Sequence, residues 1–286
     1  MNFVDLHTHS TASDGTETPA QVVRMAYDLG LKGVALTDHD TVAGLDEAEA
    51  EAAQCGMPLV RGCELAASTS YGEAHILGLW LPHDLGPLCA VLQDLRRKRG
   101  ERNLLMVEKL RGLGVDISYE EVREQAGGES VGRPHMAAVL LGKGYVRTVR
   151  EAFVRYLGYG GAAYLPRQVL EPLFAVRLLR ELGATPVLAH PCLLKSPPEW
   201  MDDFVGELAG AGLLAVEAYH SEHNDAQTRW CVELADKHKL ALSGGSDFHG
   251  GAKPGIRLGT GRGGLRVPAF VLEKLLEQRA RLGLPA

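Results

Sequence analysis

The chain has 286 residues, 45% hydrophobic and 23% charged, the composition of a globular protein with a full core. Its 30 Lys and Arg against 36 Asp and Glu give a formal charge of -6, with no dense basic run beyond Arg96-Arg97-Lys98-Arg99, which argues against gripping long nucleic acid through its phosphates but leaves room for a local anion pocket. Cys55, Cys63, Cys89, Cys192 and Cys231 include no C-x-x-C pair, so they read as ordinary buried thiols and indicate neither a disulfide framework nor a thiolate zinc site.

Short apolar runs alternate with helical segments. Asn2–Leu6 comes first, followed by a helix over Pro19–Leu29 with Thr18 as N-cap and Gly30 as C-cap. Next come the run Gly33–Thr37, a helix over Leu45–Cys55 and the runs Pro58–Cys63 and Ala74–Leu81. From Glu64 to His75 there is too little chain for a crossover helix, so these two strands are expected to form an antiparallel or irregular pair. Leu85 to about Gln168 holds helices over Gly86–Leu113 and Tyr119–Gln125, the turn "GGESVGRPH", and helices over Met136–Gly142 and Val149–Leu157. That excess over one crossover predicts an inserted helical cap subdomain. The repeat then resumes with a helix over Leu170–Leu182 and the runs Thr185–Ala189, Leu213–Ala218 and Leu240–Ser243.

Several runs are rich in Val and Leu on both faces, as buried parallel strands require. The repetition predicts an α/β fold, either a barrel or an open sheet. The expected domains are 1–84 with 169–286, and the inserted 85–168. The N-terminus has no charged segment leading into an apolar core, and no stretch approaches the ~20 apolar residues of a membrane span, so the expected address is the cytoplasm.

Polar groups recur where the runs end. The first leads into His7 and His9 with Asp14 soon after, the second into Asp38, His39 and Asp40, and the third into Glu64, while His75 opens the fourth. The fifth leads to His190, the sixth to Glu217, His220 and His223, and the seventh to Asp247 and His249. In parallel α/β folds functional groups gather at the carboxyl ends of the strands, so these residues are expected to share one mouth. An antiparallel fourth strand would bring His75 there too. His7 and His9, spaced i and i+2, lie on one face of a strand and can chelate one ion. Imidazole and carboxylate without thiolate suit Mn²⁺, Fe²⁺ or Zn²⁺ at a catalytic site with open positions. So many donors exceed the needs of one ion, which implies two or three, with Glu64 as a natural bridge. His83 and His238, isolated in the pattern, read as ordinary surface or core histidines.

The motifs "DLHTHS", "SDG", "TDHD", "GCE", "HILG", "AHP" and "GSDFH", in this order, resemble those of the PHP (polymerase and histidinol phosphatase) family. "RNLLMVEKLRGLG" and "VGRPHMA" resemble the insert of its stand-alone phosphoesterase branch, which includes a nucleoside 3′,5′-bisphosphate phosphatase and a 5′ to 3′ exonuclease of short RNA. The resemblance implies a distorted seven-stranded (β/α) barrel with an inserted helical cap. It implies His7, His9, Glu64 and Asp247 around a first ion, Glu64, His75 and His190 around a second, and Asp14, His39 and His249 around a third. Mn²⁺ is the first choice of metal, with Fe²⁺ or Zn²⁺ as alternatives.

The expected activity is metal-dependent hydrolysis of a phosphomonoester on a small nucleotide, with a nucleoside 3′,5′-bisphosphate as preferred substrate. Adjacent divalent ions would activate a water and polarise the phosphoryl oxygens. The alternatives are a 5′ to 3′ exoribonuclease on short RNA and an amidohydrolase-type enzyme cleaving an amide or lactone. His223 and Asp38 are candidate proton donors by position, with His220 also in reach. Ser130, Arg133 and His135 form a turn before a helix, where backbone N–H groups favour an anion, and Arg133 could pair bidentately with a second phosphate. Arg102, Asn103 and Lys253 are further phosphate-binding candidates. A capped mouth argues for a small phosphorylated substrate, against duplex nucleic acid, and nothing points to a membrane; the sequence leaves the oligomeric state open.

Overall fold

In the computed structural model, which describes residues 2–126 and 131–285, the chain divides into two units, Met1–Cys89 with Leu170–Ala286, and Ala90–Val169. In the first unit, β2 (Val34–Leu36), β3 (Leu59–Thr69), β4 (Gly72–Leu79), β5 (Thr185–Leu188), β6 (Ala215–His220) and β7 (Ala241–Gly245) form one sheet in chain order. Strand β4 runs antiparallel to both β3 and β5, while β2 and β3, β5 and β6, and β6 and β7 pair in parallel. The short β1 (Phe3–Val4) pairs separately with β8 (Val267–Pro268).

Strand β1 leads into a segment that touches both edges of the six-stranded sheet. On the β2 side, Asp5 N–H donates to the Gly33 carbonyl at 3.0 Å and Ala35 N–H to the Asp5 carbonyl at 2.8 Å. On the β7 side, Leu6 N–H donates to the Gly244 carbonyl at 3.1 Å and Asp247 N–H to the His7 carbonyl at 2.9 Å. One segment bonded to both edges requires the sheet to curl. Asp5–His9 nevertheless makes isolated bridges instead of a ladder, because threonine side chains take part of the pairing: Thr8 N–H donates to Thr37 Oγ1 at 3.1 Å, and Thr8 Oγ1 to the Ala35 carbonyl at 2.6 Å. The ladders thus give six strands where seven were expected.

The antiparallel pairing of β3 and β4 follows from their short separation, but β3 runs well past its apolar run and β4 begins two residues earlier than expected. Glu64 and His75 therefore lie inside a hairpin, not at strand ends. The register sets Ala66 opposite His75, which makes Glu64 and His75 diagonal neighbours on one face.

Helices α1 (Pro19–Asp28), α2 (Leu45–Cys55), α7 (Pro172–Glu181), α8 (Pro198–Ala211), α9 (Asp225–Lys237) and α10 (Ala269–Arg281) belong to this unit. Thr18 caps α1 through a reciprocal box with Gln21, and Asn224 caps α9 in the same way with Gln227. Val4, Leu6, Leu77, Val187, Ala215 and Leu275 are fully buried in one cluster, the hydrophobic term that holds β1, the sheet and α10 together. At Gly245 an added Cβ would lie 2.3 Å from His7 Cβ, so only glycine lets the two segments approach this closely.

The second unit holds most of α3 (Gly86–Gly112), with α4 (Tyr119–Ala126), α5 (Arg133–Gly142) and α6 (Val149–Ala152) packed around Met106, Leu110, Ile117, Val122, Met136 and Leu140. Helix α5 starts earlier than expected, since Gly132 is extended and Pro134 fits the first turn, so Arg133 and His135 are helical. The helix expected over Val149–Leu157 continues past Ala152 as a π-helical turn, Phe153–Leu157. Among the described residues, no helix is long and apolar enough to cross a membrane.

Candidate metal centre

Glu64 is fully buried, and five imidazoles surround its carboxylate. Oε2 lies 3.3 Å from both His7 Nε2 and His9 Nε2 and 2.9 Å from His39 Nδ1. Oε1 lies 2.8 Å from His75 Nδ1 and 3.1 Å from His190 Nε2. His7 and His9 bring their Nε2 atoms to 3.1 Å, and Asp247 Oδ1 stands 3.7 Å from the first and 3.3 Å from the second. Asp14, the most exposed of these donors, reaches His249 Nε2 at 3.2 Å and His39 Nε2 at 4.0 Å.

The nine expected donors fall into four overlapping groups: His7, Glu64 and His190; His7, His9 and Asp247; His39, Glu64 and His75; His9, Asp14, His39 and His249. Within each, one ligand atom per residue lies within 4.8 Å of the others.

The side chains fit divalent cations. With metal–ligand bonds of about 2.0–2.2 Å, donors sharing an ion stand roughly 3–3.6 Å apart, the spacing found around Glu64. Buried His9 Nδ1 has no hydrogen-bond partner, and Glu64 Oε2 and His249 Nε2 meet theirs only as ion-pair contacts outside hydrogen-bond geometry, which is costly for polar atoms unless something else satisfies them. Two of the candidate ligands also have strained backbones. His190 and Asp247 sit at φ 29° and 56°, conformations that cost a non-glycine residue about 1–3 kcal/mol.

The charges reinforce one another. Burial resists ionisation of Glu64, but His39, His75 and His7 outweigh it and hold the carboxyl well below its usual range. Burial likewise opposes protonation of His7, yet Glu217 and Glu64 keep its imidazolium well above the ordinary range. His190 is pulled down to about 4 by burial, so its ring is neutral at physiological pH.

Supporting residues emerge that the strand-end pattern left without a role. Fully buried Glu217 accepts from His7 Nδ1 at 2.9 Å and from the His190 backbone N–H at 2.8 Å, which turns His7 Nε2 toward the cluster. Its signal in the sequence was a charge inside the apolar run "LLAVEAYH". Asp5 accepts from Ser246 N–H at 2.8 Å and Gly259 N–H at 2.7 Å, bracing the loop that carries Asp247.

Several expectations need correction. Asp38 is no free proton donor: it accepts from Ser10 N–H at 2.8 Å, Ser10 Oγ at 2.7 Å and Ser13 Oγ at 2.6 Å, and so braces the first loop. His223 bonds the Ala218 carbonyl through Nδ1 at 3.1 Å and groups with Cys192 and Cys231 instead of the carboxylates. His220 lies nearer, its Nε2 3.7 Å from Asp247 Oδ2. Lys253 Nζ, expected to face a phosphate, lies 2.6 Å from Asp247 Oδ2.

In the second unit, Asn103 is fully buried; it accepts from Arg102 at 2.8 Å and donates to the Val131 carbonyl at 3.0 Å, so it braces the chain before α5. The Arg133 guanidinium lies 6.0 Å from the Phe153 ring centre and 5.8 Å from that of Tyr164. His135 Nδ1 accepts from Gly132 N–H at 3.1 Å, and burial lowers its pKa, which keeps the ring neutral. Ser130 lies outside the described residues. His238 pairs with Asp202 at 2.8 Å and His83 is exposed, in keeping with ordinary roles for both.

Residues 5–121 match the model of the PHP domain. A 5′-3′ exoribonuclease from Haemophilus influenzae is 33% identical over 86% of this chain and 89% of its own length. A phosphoribosyl 1,2-cyclic phosphate 1,2-diphosphodiesterase from Eggerthella lenta is 32% identical over 93% and 99%. For a 3′,5′-nucleoside bisphosphate phosphatase from Chromobacterium violaceum the identity is 32%, over 91% of both chains. Among solved structures, a protein from Bifidobacterium adolescentis described as a metal-dependent phosphoesterase superposes with a TM-score of 0.81 at 29% identity, covering 96% of each chain. With relatives of this identity spanning nearly the whole sequence, and with the motif residues gathered around Glu64, the chain belongs to the PHP family of metal-dependent phosphoesterases.

Proposed function

We propose that the chain removes the 3′-phosphate from a nucleoside 3′,5′-bisphosphate, yielding the nucleoside 5′-monophosphate and phosphate. The observation that carries this reading is the convergence of His7, His9, Asp14, His39, His75, His190, Asp247 and His249 on the two oxygens of Glu64 or their immediate neighbours. These residues would hold two or three divalent ions, with Mn²⁺ the first choice. Bound there, the ions supply an activated water and positive charge against the phosphoryl oxygens.

The chain's own groups do the remaining work. Glu64 divides its oxygens between two sets of imidazoles and so fixes their spacing. Glu217 orients His7 and tethers the backbone of His190. His220 Nδ1 accepts from Glu222 N–H at 3.2 Å, which puts the ring proton on buried Nε2, where it can donate a hydrogen bond to the leaving oxygen while solvent supplies the proton that oxygen takes up. A pocket of about 270 Å³ beside His75 and His190, lined in part by Tyr71, Leu188, Leu194 and Met201, supports a small organic substituent such as a nucleobase.

The Chromobacterium relative supports the bisphosphate, and the Haemophilus relative favours the exoribonuclease as second reading. A phosphate-release screen on Mn²⁺-loaded protein across bisphosphates, mononucleotides, cyclic phosphates, short oligoribonucleotides and model amides separates them. Fastest phosphate release from the bisphosphate is expected. Faster production of mononucleotides from oligonucleotides would replace this reading with the exoribonuclease, and amide cleavage without phosphate release would discard both.

A further inference from the structure

Three soft donors meet outside the carboxylate-centred cluster. Cys192, on the turn Pro191–Leu194 that follows β5, and Cys231, in α9, bring their Sγ atoms to 3.6 Å without a disulfide. His223, in the loop between β6 and α9, places a ring nitrogen within 4.8 Å of both. Its Nδ1 is bonded to the Ala218 carbonyl, while Nε2 is buried and makes no hydrogen bond.

We infer that Cys192, Cys231 and His223 form a second metal site, one that takes Zn²⁺. Zinc–sulfur bonds of about 2.3 Å in tetrahedral array set two sulfurs roughly 3.7 Å apart, close to the separation found here. A ligating histidine ordinarily donates its other ring N–H to a backbone carbonyl or a carboxylate, the arrangement at His223. Binding releases the two thiol protons to solvent, so that the ion and two thiolates carry no net charge, which permits burial beside a fully buried Cys231. Cys192 also lines a surface pocket with Lys195, Gln227 and Trp230, which gives the ion a path from solvent. The filled site would fasten the turn after His190 to α9. The spacing of 192 and 231 hides it from any search for paired cysteines.

Cobalt separates this site from the main cluster, since only thiolate ligands give a near-ultraviolet sulfur-to-Co²⁺ charge-transfer band. The full chain, purified under reducing conditions and titrated with Co²⁺, should develop that band and lose it on addition of Zn²⁺. Cys192→Ser and Cys231→Ser should abolish the band, His223→Gln should weaken it, and Glu64→Gln should retain it. Should Cys231→Ser fail to fold, partly exposed Cys192→Ser and Zn²⁺ protection of the wild-type thiols from alkylation decide the matter. Absence of the band in folded wild-type protein overturns the site, as does its survival in Cys192→Ser. A Cys192–Cys231 disulfide forming in air at a rate that Zn²⁺ leaves unchanged also counts against it.

Discussion

Glu217 holds two elements of the metal centre at once, accepting from His7 Nδ1 at 2.9 Å and from the His190 backbone at 2.8 Å. Removing its charge should loosen both while leaving every metal-facing donor in place. Glu217→Gln is expected to weaken metal affinity by about 10–100-fold, the usual cost of losing a carboxylate behind a ligating histidine. Competition with a chelating dye measures it, and wild-type affinity in the variant would deny Glu217 this role.

Lys253 Nζ lies 2.6 Å from Asp247 Oδ2, so an ammonium competes for a candidate ligand. The lysine is partly exposed and the pair correspondingly screened, which limits its worth to about 0.2–1 kcal/mol. Lys253→Met should therefore tighten metal binding by no more than about fivefold, read by calorimetry. A raised KM at unchanged metal affinity would instead return Lys253 to the substrate.

Metal binding should release protons. Glu217 and Glu64 hold the His7 imidazolium well above its ordinary range, whereas buried His190 is already neutral above about pH 4. An ion arriving at His7 must displace a proton at neutral pH, and apparent affinity should rise with pH by about tenfold per unit for each proton released. Calorimetry in buffers of different ionisation enthalpy counts those protons. Affinity that is flat between pH 6 and 8 would contradict the assigned state of His7.

Gly245→Ala forces a methyl to within 2.3 Å of His7 Cβ and 2.4 Å of His7 N. Overpacking of this kind costs about 1–3 kcal/mol, and here the strain falls on a metal-facing segment. Chemical denaturation should show the loss together with reduced metal uptake. Gly210→Ala, in α8 with nothing within 4 Å of the added methyl, serves as the contrast and should stabilise by about 0.5–1 kcal/mol.

The sequence revealed the donors because all but His75, which opens its run, come at or soon after the end of an apolar run, and runs with their punctuation are local. It also excluded a parallel crossover before β4, because too few residues separate Glu64 from His75, and of the antiparallel and irregular pairings left the structure has the antiparallel one. Partnerships across the fold were not legible. Asp38 and Asn103 carry the residue types of catalysis and anion binding, yet each is engaged by a partner 28 residues away that only tertiary packing brings near, while Lys253 is taken by Asp247, six residues earlier, through the fold of the loop between them. The meeting of Cys192 with Cys231 and the service of Glu217 to His7 span 39 and 210 residues, distances that no spacing rule covers. The seventh strand of the expected barrel is replaced by bridges because Thr8 and Thr37 divert hydrogen bonds into their side chains, a choice periodicity does not encode.

One carboxylate serving both sets of imidazoles has a bearing on how the centre fills. Glu64 must be in place for either neighbour, so the first arrival settles the geometry that the next one needs. Occupancies linked through a shared ligand cannot be independent, so uptake should depart from simple saturation. The concentration of free metal at which the enzyme becomes competent would then be a property of the pair of ions, set jointly by the shared carboxylate and the repulsion between them.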